Sequence, residues 1–256
     1  MNAPPTLGRL VLVPNTLDLG ADPVPLQDLL AASVIEHAAQ IANWAAEDAR
    51  SARAFLKRVG ALVPLVLPLQ QMQINELPRA RKGSQQEVPP SQWAALLAPA
   101  LAGHDLGLIS DAGLPAVADP GAALVAAAHA AQLTVLPLPG PSSLVLALAA
   151  SGLNGQSFAF VGYLPQEPAA RGTRIKELEA LSRRQRQTQI CIETPYRNAA
   201  LLGSLLESLT PATALSIHLG LTLPGGWSRT QPVARWRLFP PQLPDKVPAV
   251  FLWLAA

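Results

Sequence analysis

No lysine, arginine, aspartate or glutamate occurs between Asp119 and Glu167. A stretch that long without charge must lie in a membrane or at the centre of a folded domain. Pro137, Pro139, Gly140, Pro141 and Gly152 interrupt it, with Gln132 and Asn154 inside it, so no unbroken apolar helix of about 20 residues fits. The pattern around it is a strand (105–110), a turn-rich loop, a helix (120–131), a strand (133–139), a PGPSS turn and a helix (143–151). Strand–helix–strand crossovers of this kind build parallel sheets covered on both faces, whose strands read as continuous apolar runs.

The same alternation extends over the chain. Strands are expected at 9–13, 63–69, 158–165, 189–195, 214–221, 232–239 and 249–256. Helices are expected at 33–41 (Ser33 and Glu36 forming a capping box), 49–60, 91–102, 171–186 and 198–209. Residues 42–48 fit either a helix or a strand ending at Glu47–Asp48. Residues 70–90 are polar and turn-rich and read as a loop. The pattern restarts after Gly152, which divides the chain into domains at 1–153 and 154–256. The fold class expected is α/β.

Half of the 256 residues are hydrophobic and 14% are charged, a composition that argues against disorder. The single cysteine, Cys191, leaves no internal disulfide framework, and it reads as a small core residue in a reducing, cytoplasmic setting. The N-terminus has no basic stretch followed by a long apolar one, so no signal peptide is expected. Net charge is +2, divided as −3 over 1–153 and +5 over 154–256. The basic knot RRQR (183–186) reads equally as a solvated helix end or a phosphate contact.

Two aspartates stand in SDAGLPAVADPG, 110–121. Asp119 before Pro120 is accounted for as a helix N-cap followed by proline at the first helical position. Asp111 has no such account. It sits at the carboxyl end of a strand, where open α/β sheets bind ligands. If strands 105–110 and 133–139 are parallel, SDAG and PGPSS face one edge and form one candidate site. Glycines 113 and 140 then permit close backbone approach. There is no G-x-G-x-x-G and no P-loop, which argues against dinucleotide and ATP chemistry. His37, His104, His129 and His218 are scattered, and no metal site is expected.

AEDAR (46–50), SDAGLPAVADPG, PLPGPSS (137–143), SGL with FVGYLP (151–153 and 161–165) and ETPYR (193–197) follow in that order. Together they resemble the ribosomal RNA small-subunit 2′-O-methyltransferase I family, within the tetrapyrrole-methylase-like S-adenosylmethionine-dependent methyltransferases. The resemblance runs from about residue 9 to the end. It implies two α/β domains of tetrapyrrole-methylase type with the cofactor cleft between them, a homodimer, and methyl transfer to a cytidine 2′-hydroxyl of the small ribosomal subunit. It implies S-adenosyl-L-methionine as cofactor, held by Pro14, Asp111, Ala112, Gly113 and Ala116, by Ser142 and Ser143 of the PGPSS turn, and by Ile192.

Methyl transfer from a sulfonium asks the protein for position and desolvation, and a hydroxyl acceptor gains from a nearby base. Candidate catalytic residues are Glu47, Asp48 and Glu193, with Arg50 and Arg197 to hold phosphate or orient the carboxylates. Glu47–Arg50 and Glu193–Arg197 read equally as structural pairs. The family's Arg-Glu-Leu-Thr-Lys segment aligns with LGLTL (219–223), beside His218, and its acidic stretch with GGWSR. A tetrapyrrole, another small molecule or a protein residue therefore stays open as acceptor, as does a non-catalytic homologue. Neither DNA nor membrane is expected as a partner.

Overall fold

The computed structural model describes residues 6–17, 24–79 and 88–256, and the chain divides into two compact units, Met1–Pro141 and Ser142–Ala256.

Unit 1 runs β1 (Arg9–Leu12), α1 (Leu26–Leu29), α2 (Ala32–Ala39), β2 (Asn43–Ala46), α3 (Ala49–Gly60), β3 (Gln73–Glu76), α4 (Pro90–Leu96), α5 (Ala98–Leu101), β4 (Leu106–Ile109), α6 (Ala122–Ala130) and β5 (Thr134–Pro137). Its sheet has the order β3-β2-β4-β1-β5, and every pairing is parallel. Side chains alternate across it with period two. Val11, Trp44, Ala46 and Ile109 pack with Val34, Ile35, Phe55 and Leu56 of α2 and α3. Leu10, Ala45, Leu106 and Leu108 pack on the other face with Leu97, Ala100, Leu124 and Ala128. The chain thus leaves β1 toward one face and its neighbour β4 toward the other. The crevice outside their carboxyl ends is a topological switch point.

Unit 2 runs α7 (Ser143–Ser151), β6 (Phe158–Phe160), α8 (Pro168–Gln185), β7 (Thr188–Ile192), α9 (Asn198–Ser208), β8 (Ala214–Leu219), β9 (Trp227–Pro232), α10 (Val233–Leu238) and β10 (Ala249–Leu254). Its sheet has the order β6-β7-β10-β8-β9. Only β6–β7 is parallel. Cys191, Leu215, Ile217, Phe251 and Trp253 meet Ile175, Leu178, Leu201 and Leu205 of α8 and α9. Ile190, Val250 and Leu252 meet Leu144, Ala147 and Leu148 of α7. That second contact is why the unit begins at Ser142, ahead of the expected boundary at 154.

Four of the expected elements differ. Residues 63–69 form no strand, because Pro64 and Pro68 cannot donate to a ladder. The edge strand is Gln73–Glu76, inside the segment read as loop. PVARWRLF is not a strand. Pro232 ends β9 and precedes α10, whose Trp236 is buried and donates its indole N–H to the Leu215 carbonyl at 2.9 Å. The helix expected at 91–102 is broken at Leu97, where Pro99 starts a second turn as α5. Among the described residues no helix is long and apolar enough to cross a membrane.

Candidate functional site

In unit 1 the parallel strands deliver four loops to one edge: 13–17 after β1, Glu47–Asp48 after β2, 110–121 after β4 and 138–141 after β5. Asn15 clamps the first to the third. Its Nδ2 donates to the carbonyls of Ser110 (3.1 Å) and Asp111 (3.0 Å), and its N–H donates to the Gly113 carbonyl at 2.8 Å. Arg58 of α3 braces the first loop, donating to the Val24 carbonyl at 2.6 Å and to Thr16 Oγ1 at 3.3 Å. Close approach joins the first and fourth loops: a Cβ on Gly140 would lie 2.2 Å from the Cβ of Pro14. Asn15 and Arg58 escaped sequence reasoning. The one available signal was an asparagine directly after a strand-ending proline.

The loop 110–121 is held in a costly conformation. Gly113, Ala116, Ala118 and Gly121 all have positive φ. For each alanine this costs roughly 1 kcal/mol or more. Ser110 is 2% exposed, and its Oγ and Asp111 Oδ1 are buried with no hydrogen-bond partner. Unpaired buried polar atoms in a strained loop at a switch point are what a ligand site requires before its ligand arrives. Pro14, Asp111, Ala112, Gly113 and Ala116 all lie at this edge.

Glu47 belongs to the same cluster. Its Oε2 accepts the Asp111 N–H at 3.2 Å, and burial raises its pKa, with the Asp111 charge adding to the shift. Arg79, another residue the sequence did not single out, donates to the Glu47 carbonyl at 2.7 Å. Asp48 caps α3 by accepting the Ser51 N–H at 2.8 Å, which lowers its pKa. Arg50 is exposed on the first turn of α3 and forms no ion pair with Glu47.

Asp119 does not cap a helix, contrary to the sequence expectation. α6 begins three residues later, with Gly121 at its N-cap in a positive-φ conformation that the Asp-Pro-Gly turn imposes. The freed carboxyl is partly buried, and burial followed by the charges of Glu47 and Asp111 raises its pKa from 3.8 to about 7. A carboxyl whose folded pKa lies above its unfolded value supports the fold fully below about pH 4, and that support is lost as pH rises to about 7. At about 1.36 kcal/mol per unit, less solvent screening on a partly exposed group, the loss is about 2 kcal/mol. Asp119→Asn should therefore match wild type in melting temperature at pH 4.5 and exceed it at pH 8. Equal temperatures at both pH values would refute the buried-acid assignment.

In unit 2, Ser142 precedes α7 with its side chain making no cap bond, and Ser143 is the first helical residue. Ile192 ends β7 and packs beside α7. Glu193 follows, buried, and its Oε1 accepts from Arg197 Nη2 at 2.7 Å and Nε at 3.1 Å and from the Thr194 N–H at 2.7 Å. His218 is buried between Ser216 Oγ (2.7 Å from Nε2) and Ser228 Oγ (2.8 Å from Nδ1), and burial pushes its pKa down to about 4, so it is neutral. Among the described residues no group of three His, Cys, Asp or Glu side chains is placed to hold a metal ion.

A doubly covered parallel sheet with a strained loop at its switch point, joined in one chain to a mixed sheet, is an α/β architecture that solved methyltransferases share. The chain is similar to the methyltransferase CobJ (TM-score 0.56, 17% identity, covering 97% of this chain and 95% of that one). It is also similar to the uroporphyrin-III C-methyltransferase of Thermus thermophilus complexed with S-adenyl homocysteine (TM-score 0.53, 17% identity, 96% and 97%). The family model described as tetrapyrrole (corrin/porphyrin) methylases matches residues 29–225, and the chain belongs to that family. Curated relatives called ribosomal RNA small subunit methyltransferase I include those of Mesorhizobium japonicum (41% identical over 127 residues, 50% of this chain and 42% of the relative) and Vibrio cholerae (41% over 109 residues, 43% and 36%). That of Synechocystis is 34% identical over 178 residues, 70% of this chain and 57% of the relative. The matches thus span between 36% and 57% of these relatives' own length.

Proposed function

We propose that the protein is an S-adenosylmethionine-dependent methyltransferase acting on the 2′-hydroxyl of a cytidine in small-subunit ribosomal RNA, as a cytoplasmic homodimer. The observation that carries the cofactor is the unpaired buried pair, Ser110 Oγ and Asp111 Oδ1, in the strained loop after β4. The names of the relatives support the acceptor. The resemblance alone adds Ser142, Ser143 and Ile192 to the cofactor residues and supports the dimer, and the single cysteine, Cys191, supports the location.

When bound, S-adenosylmethionine supplies a methyl group on a sulfonium. Asp111 and the backbone of Ala112 and Gly113 hold and orient it, and the fixed loop conformation means little reorganisation at the moment of reaction. Glu47, at the same edge as the loop after β4, would take the proton that the acceptor hydroxyl gives up on methylation. The raised pKa of Glu47 suits that task. Asp48 acts by fixing the start of α3 and so the position of Glu47, with Arg50 free on that turn to meet phosphate. Glu193 and Arg197, paired to each other, act as positioning residues.

The test is methyl transfer from tritium-labelled S-adenosylmethionine to small ribosomal subunits that lack the modification, followed by nucleoside analysis. Label in 2′-O-methylcytidine is the expected result. Cofactor binding without transfer to RNA would move the acceptor to the second reading, a tetrapyrrole, which the family description and the name of the Thermus thermophilus neighbour support. Well-folded protein that binds no cofactor would overturn the enzyme.

A further inference from the structure

The chain has two tyrosines, and both stand at one edge of the unit 2 sheet. β6 and β7 are parallel neighbours, with Phe160 opposite Ile190, so the chain leaves both at the same edge. Tyr163 lies three residues beyond β6 and Tyr196 four beyond β7. They are 57% and 67% exposed; Phe158 at the start of β6 and Phe239 after α10 are exposed as well, whereas Trp44, Trp236, Trp253, Phe55 and Phe251 are fully buried.

The exposure of Tyr196 is not looseness. Buried Glu193 fixes Arg197 through two N–H donors on one oxygen, and Thr194 fixes Glu193 from its N–H and from its hydroxyl at 3.2 Å. The guanidinium so held stands over the Tyr196 ring, 5.4 Å from its centroid, within reach of a cation–π contact. A buried carboxylate thus sets an arginine, and the arginine sets an exposed ring. A ring already held in place loses little freedom when a planar group stacks on it.

Charge points to what that planar group is attached to. Unit 2 carries 11 basic and 6 acidic residues, a balance that attracts a phosphate backbone. Single-stranded nucleic acid is bound by this pairing of positive charge with aromatic faces. We infer that Tyr163 and Tyr196 form a stacking platform for unpaired bases of the RNA acceptor, with Arg197 and Glu193 positioning Tyr196. The inference rests on the RNA reading of function and specifies the form of the substrate. Bases inside a duplex have no open face, so the platform selects a loop or an unpaired segment.

The test compares anisotropy of fluorescent single-stranded and duplex RNA oligonucleotides of equal length on the full chain, in wild type, Tyr163→Ala, Tyr196→Ala and the two phenylalanine variants. Wild type should prefer the single strand. Each alanine should weaken that binding about 5- to 150-fold, the range for loss of one stacked base, while duplex binding stays unchanged. Phenylalanine keeps the ring and should bind within about twofold of wild type, which reads the platform even if an alanine variant unfolds. Alanine variants that bind like wild type would overturn the platform alone, as would phenylalanine variants as weak as alanine. Wild type that binds neither RNA would overturn the RNA reading with it.

Discussion

Glu47→Gln is expected to lower the rate of methyl transfer by about 10²- to 10⁴-fold, the usual contribution of a general base, while S-adenosylmethionine affinity stays within about twofold of wild type. Glutamine keeps the shape of the side chain, and its amide oxygen can still accept the Asp111 N–H that Glu47 Oε2 accepts at 3.2 Å, so the loop after β4 stays in place. What it cannot do is take a proton. The wild-type rate should also fall at low pH as Glu47 protonates, and it should do so above the range of an ordinary glutamate because burial raises its pKa. Single-turnover rates across pH, paired with calorimetric titration of the cofactor, check both halves. A variant with undiminished rate would remove Glu47 from the chemistry and leave it as a brace for Asp111.

Asp111→Ala is expected to weaken S-adenosylmethionine and S-adenosylhomocysteine about 10- to 150-fold without lowering the melting temperature. The asymmetry follows from how the residue is held. Asn15 bonds its carbonyl and Glu47 its N–H; both partners grip the backbone, which alanine retains. The carboxylate contributes a buried oxygen with no partner, an arrangement that disfavours the free protein. A charge-assisted hydrogen bond to a ligand is worth about 1.5–3 kcal/mol, which sets the fold-change in affinity. Its removal from the free protein should leave stability level or raise it. Calorimetry and thermal unfolding on the same two samples decide the matter. A lower melting temperature with unchanged affinity would make Asp111 a structural residue.

The sequence revealed the fold where one local pattern decided the outcome, and misled where two competed. The crossover from β4 through α6 to β5 was legible because apolar runs, a glycine-proline loop and an alanine-rich helix follow one another without rival signals. VPLVLPL misled because its hydrophobicity says strand while Pro64 and Pro68 deny it the ladder, and polar QINE took the edge of the sheet. PVARWRLF misled in the opposite way, since a buried tryptophan serves a short helix as well as a strand. At the site, Asp111 could be placed from its position at a strand end. Asp119 could not, because Asp-Pro-Gly satisfies the cap pattern, and only the backbone of the loop shows that Gly121 takes the cap position. Asn15, Arg58 and Arg79 act through backbone carbonyls and a hydroxyl distant in sequence, and a linear pattern holds no trace of such partners.

β1 lies between β4 and β5, with Leu10 opposite Leu106 and Arg9 opposite Thr134. On a ribosome making about 5–20 residues per second, β1 emerges roughly 5–20 seconds before β4, the earlier of its two neighbours. Unit 2 is less delayed, since β8 meets β9 through a short connection, Leu219 opposite Trp227. Long-range parallel pairing is slow to close and prone to aggregation until it does. The nascent RLVLV segment has a cation at its start in Arg9 and a ladder-breaker at its end in Pro14, the two residue types that keep an open strand from recruiting another chain. Pro14 thus serves the newborn chain as a guard before it packs against Gly140 in the finished protein.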